Sequence, residues 1–247
     1  MSAPLFLLEP DALQGVRLGA SVLLGGPEGR HAATVRRIVV GERVDVADGS
    51  GALARCTVTA VGRDELTLRV DEREDVPEPA PRFVLVQALA KGERDDLAIE
   101  AATELGVDEV VPWQAERSVV VWRGERGVRS HRKWEQTVRA AAKQSRRARV
   151  PKVGDLVDRE GLVARVGAAT LAVVLHEEAT LPLAALDVPS IGEVLLVVGP
   201  EGGITPDEVD AMALVGATTC RIGREVLRSS TAGPAALSVL SAAMRWR

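Results

Sequence analysis

Along residues 42–72 apolar and polar positions alternate in three short runs, ERVDVADG (42–49), ARCTVTAV (54–61) and ELTLRVDE (65–72). A period of two belongs to strands with one buried face, and the Gly-bearing turns at 49–51 and 62–64 separate them. Residues 1–76 therefore read as an all-β unit, and a small barrel would dispose of the edges of such strands. RHAATVRRIVV (30–40), between Gly29 and Gly41, is the only helix-like insert, with Arg36 and Arg37 available to face outward as candidate RNA contacts. EREDVPEPAPR (72–82), with three prolines and four acids, reads as a linker centred on 77–82.

From Phe83 the period changes. FVLVQAL (83–89), DEVVPW (108–113), Leu171–Leu175, Val194–Val198 and Thr218–Ile222 are short apolar runs of buried strands. Between them fall helical patterns: DDLAIEAATEL (95–105), with Leu97, Ala101 and Leu105 on one face and Gly106 to stop it, Ser130–Ala148, Asp158–Val166 and Thr205–Val215. Strand alternating with helix predicts an α/β unit over 83–247 with a mostly parallel sheet. The last helix, PAALSVLSAAMRW (234–246), is expected to start at Pro234. It is apolar almost all round, which predicts cover on more than one face, by the core and by a second subunit in a homodimer.

Composition adds limits. At 247 residues and 46% hydrophobic, the chain can bury proper cores. No stretch approaches the roughly 20 apolar residues of a membrane span, and MSAPLFLLEPD predicts no signal peptide. Cys56 and Cys220 lie far apart in strand-like contexts, so free buried thiols in a reducing cytoplasm are expected. With three scattered histidines there is no metal-ligand spacing, and no metal is expected.

A net charge of −4 argues against a nucleic-acid partner until its distribution is considered. Between Arg123 and Lys152 there are eleven Lys and Arg against two Glu, a local net of +9. Within 130–149, Trp134, Val138, Ala141, Ala142 and Ser145 form a small-residue face for close packing on a sheet. Arg139, Lys143, Arg146 and Arg147 fall on a neighbouring face, with Gln144 beside them. Like charges at i, i+4 repel by about 0.2–0.5 kcal/mol, so a face this pure in sign is better explained by RNA or DNA phosphates than by solvent. With 2% aromatics and no Tyr, backbone and shape contacts should dominate over stacking.

Candidate chemistry concentrates in VVGPEGGITPDEV (197–209). An apolar strand stops at a glycine turn, and a helix follows at once with Thr205 as N-cap, Pro206 at the first position and Glu208 placed to close a capping box. Such a turn stands at the carboxyl end of a sheet, where open α/β sheets bind ligands. Glu201 disfavours a phosphate, which leaves an ordinary connection or a slot for a neutral or cationic ligand held by main-chain groups. Gly-Pro-Glu-Gly also occurs at 26–29, so the tetrapeptide alone is weak evidence of a site.

LLVVGPEGGITPDEV followed by CRIGREVLRSSTAGPAALSVL resembles the SPOUT methyltransferases, and most closely the E-type family that makes N3-methyluridine in 16S ribosomal RNA of the small subunit. HAATVRRIVVGERVDVADG (31–49) resembles that family's PUA-like barrel, ATELGV (102–107) its Thr-Glu-Leu-Gly motif and KQSRRARVP (143–151) its Glu-Gln-Ser motif. Ser230, Glu225, Lys143 and Leu5 stand where the family commonly has Glu, Arg, an acid and Arg. The resemblance implies a trefoil-knotted C-terminal domain, an N-terminal PUA-like RNA-binding barrel, S-adenosyl-L-methionine as cofactor, a homodimer and a cytoplasmic location. It implies a slot walled first by Val198, Gly199, Pro200, Glu201, Gly202 and Gly203. Ile222, Gly223, Val226, Leu227, Arg228, Thr231 and Ala232 of the second motif form another wall, and Leu175 and His176 close the strand beside it. Arg228 is the candidate catalytic group, a cation near the uracil imide as it loses its proton; no base is named. Related readings are a SPOUT enzyme acting on transfer RNA and a non-catalytic RNA-binding assembly factor.

Overall fold

The computed structural model describes residues 3–246. The chain forms two compact units, one running to Glu78 and including Ala142–Val150, the other made of Pro79–Ala141 and Pro151 onward. Residues 142–150, expected in the second unit, thus belong to the first. Their anchors explain it: Lys143 pairs with Glu28 at 2.7 Å, Arg146 donates to the Ala3 carbonyl at 2.8 Å, and Arg149 donates to the Val76 carbonyl at 2.9 Å.

In the first unit, β1 (Leu5–Leu7), β2 (Ser21–Leu24), β3 (Arg43–Ala47), β4 (Ala52–Val61) and β5 (Leu66–Asp75) form one sheet in the order β1-β3-β4-β5-β2. Only the β1–β3 pair is parallel. Register shifts in β4 at 55/56 and 58/60 are bulges that bend the sheet, so that Phe6, Val22, Val46, Val58 and Leu68 from all five strands share one core. The sheet is not closed by a ladder between β1 and β2 among the described residues. Instead Ala32 and Ile38, from the turn that follows α1 (Gly26–Arg30), complete the core. The helical insert starts at Gly26, earlier than its apolar pattern, and continues as a wide turn over His31–Val35. β5 also outruns its prediction, reaching Asp75 and shortening the linker, because its charged residues find partners: Glu72 with Arg55 at 2.9 Å and Asp75 with Arg73 at 2.8 Å.

The second unit is a six-stranded sheet in which every pair is parallel. Its order is β11 (Thr218–Cys220), β9 (Leu171–Leu175), β10 (Glu193–Val198), β6 (Arg82–Ala88), β7 (Glu109–Trp113) and β8 (Lys152–Val153). Val84, Val86, Leu195 and Val197 face one layer with Leu162 and Val166 of α4 (Arg159–Ala168) and Met212 of α5 (Pro206–Leu214). The opposite face carries α2 (Arg94–Glu104) and α6 (Ser229–Met244), and α6 comes so close that a Cβ at Gly233 would lie 2.9 Å from Leu85. Burial on both faces is why these strands read as unbroken apolar runs.

Three helices differ from their sequence patterns. In α2 the buried positions are Ala98, Ile99 and Ala102, and Leu97 is 53% exposed; small alanines allow the close α2–α6 approach that a leucine stripe would hold apart. Gly106 does end that segment, at φ +95°. α3 runs over Gly124–Gln144, earlier than expected at both ends, and its Trp134, Val138, Ala141 and Ala142 are buried as patterned. α6 opens at Ser229, so Pro234 lies inside it.

Candidate active site

The carboxyl ends of β9 and β10 open into a cavity of about 370 Å³. The turn after β10 forms one wall through Val198, Gly199, Pro200, Glu201 and Gly203, and Val226, Leu227, Arg228 and Ala232 form the opposite one. Leu175 and His176 line its floor, and a smaller recess reached through the same residues adds Ile222 and Gly223. Gly202 and Thr231 do not line either space: a Cβ at Gly202 would lie 3.1 Å from the Arg117 Cβ.

The local architecture follows the chain closely. Thr205 caps α5 through its side chain, which accepts from the Glu208 N–H, while the Glu208 carboxylate accepts from the Thr205 N–H at 3.0 Å. That reciprocal box stops the turn from fraying into the cavity. Gly199 is required by space, since a Cβ there would stand 2.5 Å from Ile204 Cγ1. At 26–29 the same tetrapeptide opens a helix, and its second glycine is the crowded one, with a Cβ at Gly29 meeting the Leu24 carbonyl oxygen at 2.3 Å. Tertiary surroundings thus give one tetrapeptide two conformations.

Glu201 does not face a ligand alone. Its carboxylate accepts from Arg94 Nη1 at 2.6 Å and from the Lys91 N–H at 3.1 Å, tying the turn to the loop before α2. Burial raises its pKa, but its own N–H, Arg94 and the Lys91 N–H together hold it below the usual carboxylate range, so the tie is intact at neutral pH.

Arg228, at the N-cap of α6, lines the cavity and makes no ion pair among the described residues, with Glu225 or any other acid. His176 accepts from the Glu178 N–H through Nδ1 at 3.2 Å. Arg94, Glu177, Ile204 and Ser229 also line the cavity and were missed from sequence. Arg94 lies in the polar run KGERDD, which carries no periodic signal. Ser229 is buried, and its Oγ has no hydrogen-bond partner among the described residues. A buried hydroxyl without a partner beside a cavity is what a bound polar ligand would satisfy.

Beside this loop, burial pushes the Asp95 carboxyl up to about 6, helped by the Asp96 charge and opposed by the Asp96 and Ala90 N–H groups. Its folded pKa lies above the unfolded value of about 3.9, so the folded state holds the proton longer and stability is lost as pH rises through about 6. Asp95→Asn should therefore raise the free energy of unfolding at neutral pH by about 2–3 kcal/mol and flatten its pH dependence between about 4 and 6. Denaturant titrations across that range check both.

The residues singled out for RNA lie mostly in the first unit and do not form one helical face. Lys143 is engaged by Glu28 and sits 5.0 Å over the Phe6 ring. Arg146 and Arg147 fall beyond the end of α3, and Arg146 takes a left-handed backbone at φ +61°, as does Arg37 at +54°. Gln144 and Arg36 are exposed. Both cysteines are buried, and burial pushes the Cys56 thiol up to about 12 and raises that of Cys220, which keeps them protonated. No helix among the described residues is long and apolar enough to cross a membrane.

Residues 77–241 match the family model described as an RNA methyltransferase domain, and 24–71 match that of an RNA methyltransferase PUA domain. The ribosomal RNA small subunit methyltransferase E of Mycobacterium tuberculosis is 48% identical over 92% of this chain and 89% of its own length. That of Bacillus subtilis is 30% identical over 87% and 88%. A Legionella pneumophila methyltransferase, solved with the cofactor S-adenosylmethionine bound, superposes with a TM-score of 0.83 at 26% identity over 99% of each chain. The family model covers the sheet, the turn and the cavity just described, the relatives extend the match over nearly all the rest, and the chain therefore belongs to the ribosomal RNA small subunit methyltransferase E family of RNA methyltransferases.

Proposed function

We infer that the chain methylates N3 of a uridine in 16S ribosomal RNA, with S-adenosylmethionine as the donor. The observation that carries this reading is the cavity at the carboxyl edge of the parallel sheet, walled by main-chain turns, lined by an unpaired arginine and holding an unsatisfied buried hydroxyl. Its volume falls in the range of about 300–1,000 Å³ usual for small-molecule sites. S-adenosylmethionine bound there supplies an electrophilic methyl group on a sulfonium. Gly199 and Gly203 let the backbone approach it, Val226 and Leu227 offer apolar cover, and Ser229 Oγ supplies a polar contact. Val226 is 76% exposed in the chain alone, which suits a residue that a ligand covers.

The acceptor, a uracil imide nitrogen, must release its proton to solvent before its electron pair forms the new N–C bond while the C–S pair returns to sulfur. Arg228 is the group that steadies the developing anion; a preorganised charge of this kind can lower a barrier by about 3–4 kcal/mol. The target base has to leave its stack to arrive. Mass-spectrometric analysis of ribosomal RNA nucleosides from cells lacking the protein should show loss of 3-methyluridine from the small subunit. Unchanged 3-methyluridine would refute the reading.

RNA is held by Arg36, Arg37, Arg139, Gln144, Arg146 and Arg147 in this proposal. Replacing Arg139 and Arg147 with Ala should flatten the slope of log K against log salt by about 0.7–0.9 for each lost phosphate contact, measured by filter binding over a salt series. The protein acts in the cytoplasm on the small subunit or its RNA.

A homodimer completes the proposal. Leu237 and Leu240 of α6 are buried in the chain's own core, so they are not the dimer surface. The outward stripe is Thr231, Ala235, Val239 and Ala242, followed by Trp246 at 56% exposure. Ala242→Asp should give monomers by sedimentation at micromolar concentration, with secondary structure retained. We propose that the trefoil knot forms where the terminal segment passes the 177–192 connection: Arg221 pairs with Leu181 and Leu183 main chain on the way to α6, which packs against the short helix Leu183–Ala185.

A further inference from the structure

The first unit holds a second cavity, of about 580 Å³, which the methyl-transfer chemistry does not use. Arg36, Arg43, Arg55 and Arg146 line it together with Asp45 on β3 and with Glu42, whose carboxylate accepts from the Val39 N–H at 3.0 Å. The arginines are not equally committed. Arg55 is held by Glu72 at 2.9 Å and Glu74 at 3.5 Å, whereas Arg43 has only a 3.8 Å contact with Glu72. Arg146 spends one N–H on the Ala3 carbonyl, and Arg36 has no ion pair among the described residues. Left-handed backbone at Arg146, and at Arg37 next to Arg36, shows two arginine-bearing turns held in a sparsely populated conformation, which concentrates where a site demands it.

Asp45 is the unusual member. Its N–H bonds the Pro4 carbonyl, but its half-buried carboxylate has no hydrogen bond and no ion pair among the described residues, although four arginines share its cavity. Burial raises its pKa while Arg55, Arg146 and Arg43 pull it down. The cavity therefore presents guanidinium donors and one unspent carboxylate acceptor side by side. A bare phosphate would meet the first and be repelled by the second. A nucleotide satisfies both, with its phosphate on the arginines and an N–H of its base on the carboxylate.

We propose that this cavity seats one unpaired nucleotide of the RNA substrate, its phosphate on Arg36, Arg43 and Arg146 and its base donating to Asp45. Guanine fits best, because its N1–H and N2 amino group lie side by side as a carboxylate requires. Splayed single-stranded bases read on their edges are the usual route to sequence-specific RNA recognition. The proposal rests on the RNA-methylating reading of the chain and adds to it a recognition point in the first unit.

The test uses the full chain titrated with 5′-GMP, 5′-UMP and inorganic phosphate, followed by NMR or calorimetry at low salt. The native protein should bind GMP at least about tenfold more tightly than phosphate, and more tightly than UMP. Asp45→Asn should lose most of that preference and bind phosphate better, because a repelling charge is gone. Arg43→Ala should weaken every ligand severalfold. Equal affinity for GMP and phosphate in the native protein, or an Asp45→Asn variant that still prefers GMP, would overturn the proposal. Should Asp45→Asn fail to fold, shown by a changed circular dichroism spectrum, Arg36→Ala takes its place, and unchanged GMP affinity in it overturns the proposal equally. The salt series on the Arg139 and Arg147 variant separates the two levels. If its slope changes while the cavity variants bind GMP like the parent, only this inference falls.

Discussion

Gly199→Val is expected to leave a folded protein that no longer binds S-adenosylmethionine. A Cβ at this position would stand 2.5 Å from Ile204 Cγ1 and 3.3 Å from its Cδ1. Ile204 is 7% exposed, belongs to the core beneath α4 and α5 and itself lines the cavity. Whichever of the two yields, the turn or the isoleucine, the free space it moves into is the cavity. Relieving the overlap needs a shift of about 1 Å, a displacement that can cost on the order of a hundredfold where reacting groups must be placed. Isothermal calorimetry should show at least that loss in cofactor affinity, with circular dichroism and the thermal midpoint little changed. Gly202→Val is the informative partner, because its side chain would press on Arg117 and disturb the Arg117 bond to the Gly202 carbonyl rather than enter the cavity. Its effect on affinity should be much the smaller. Parental affinity in Gly199→Val would place the cofactor elsewhere.

Glu109→Ala should be strongly destabilising. This carboxylate is 3% exposed as a side chain and is shared by Arg82 and by Arg165, the latter at 2.9 Å, while Arg82 also reaches Glu193 at 2.8 Å. The cluster ties the starts of β6, β7 and β10 to α4. Removing one partner of a buried pair typically costs about 3–5 kcal/mol, because it strands the opposite charge. Arg82 and Arg165 are 40% and 28% exposed and can recover some solvation, so a value of about 3 kcal/mol is expected. Urea denaturation should show an earlier midpoint at unchanged m-value. A loss below about 1 kcal/mol would mean the cluster behaves as a surface network.

How much of this was legible beforehand depends on how local the cause is. The capping box at Thr205 and Glu208 was readable because both partners lie within one helical turn. The helix stop at Gly106 and the buried small-residue face of α3 were readable for the same reason. The parallel sheet followed from unbroken apolar runs alternating with helices, and the two walls of the cavity from their resemblance to a family signature.

What remained hidden was decided by partners far away in sequence. Which face of α2 is buried depends on how closely α6 approaches, and α6 lies more than a hundred residues downstream. Glu201 looked like a ligand-facing acid until Arg94, 107 positions earlier, was found holding it. Lys143 looked like a phosphate contact, and Glu28, 115 positions earlier, holds it instead. A single charged residue carries no periodicity and can serve either a ligand or a neighbour, so its type does not reveal its partner. The chain by itself therefore determined strands, helices, caps and the glycine turn, because these arise from backbone preferences and short-range spacing. The tertiary structure decided which charges are spent on the fold and which, like Arg228 and Asp45, line a cavity with no ion pair among the described residues, because an ion pair depends on distance in space and not on distance along the chain.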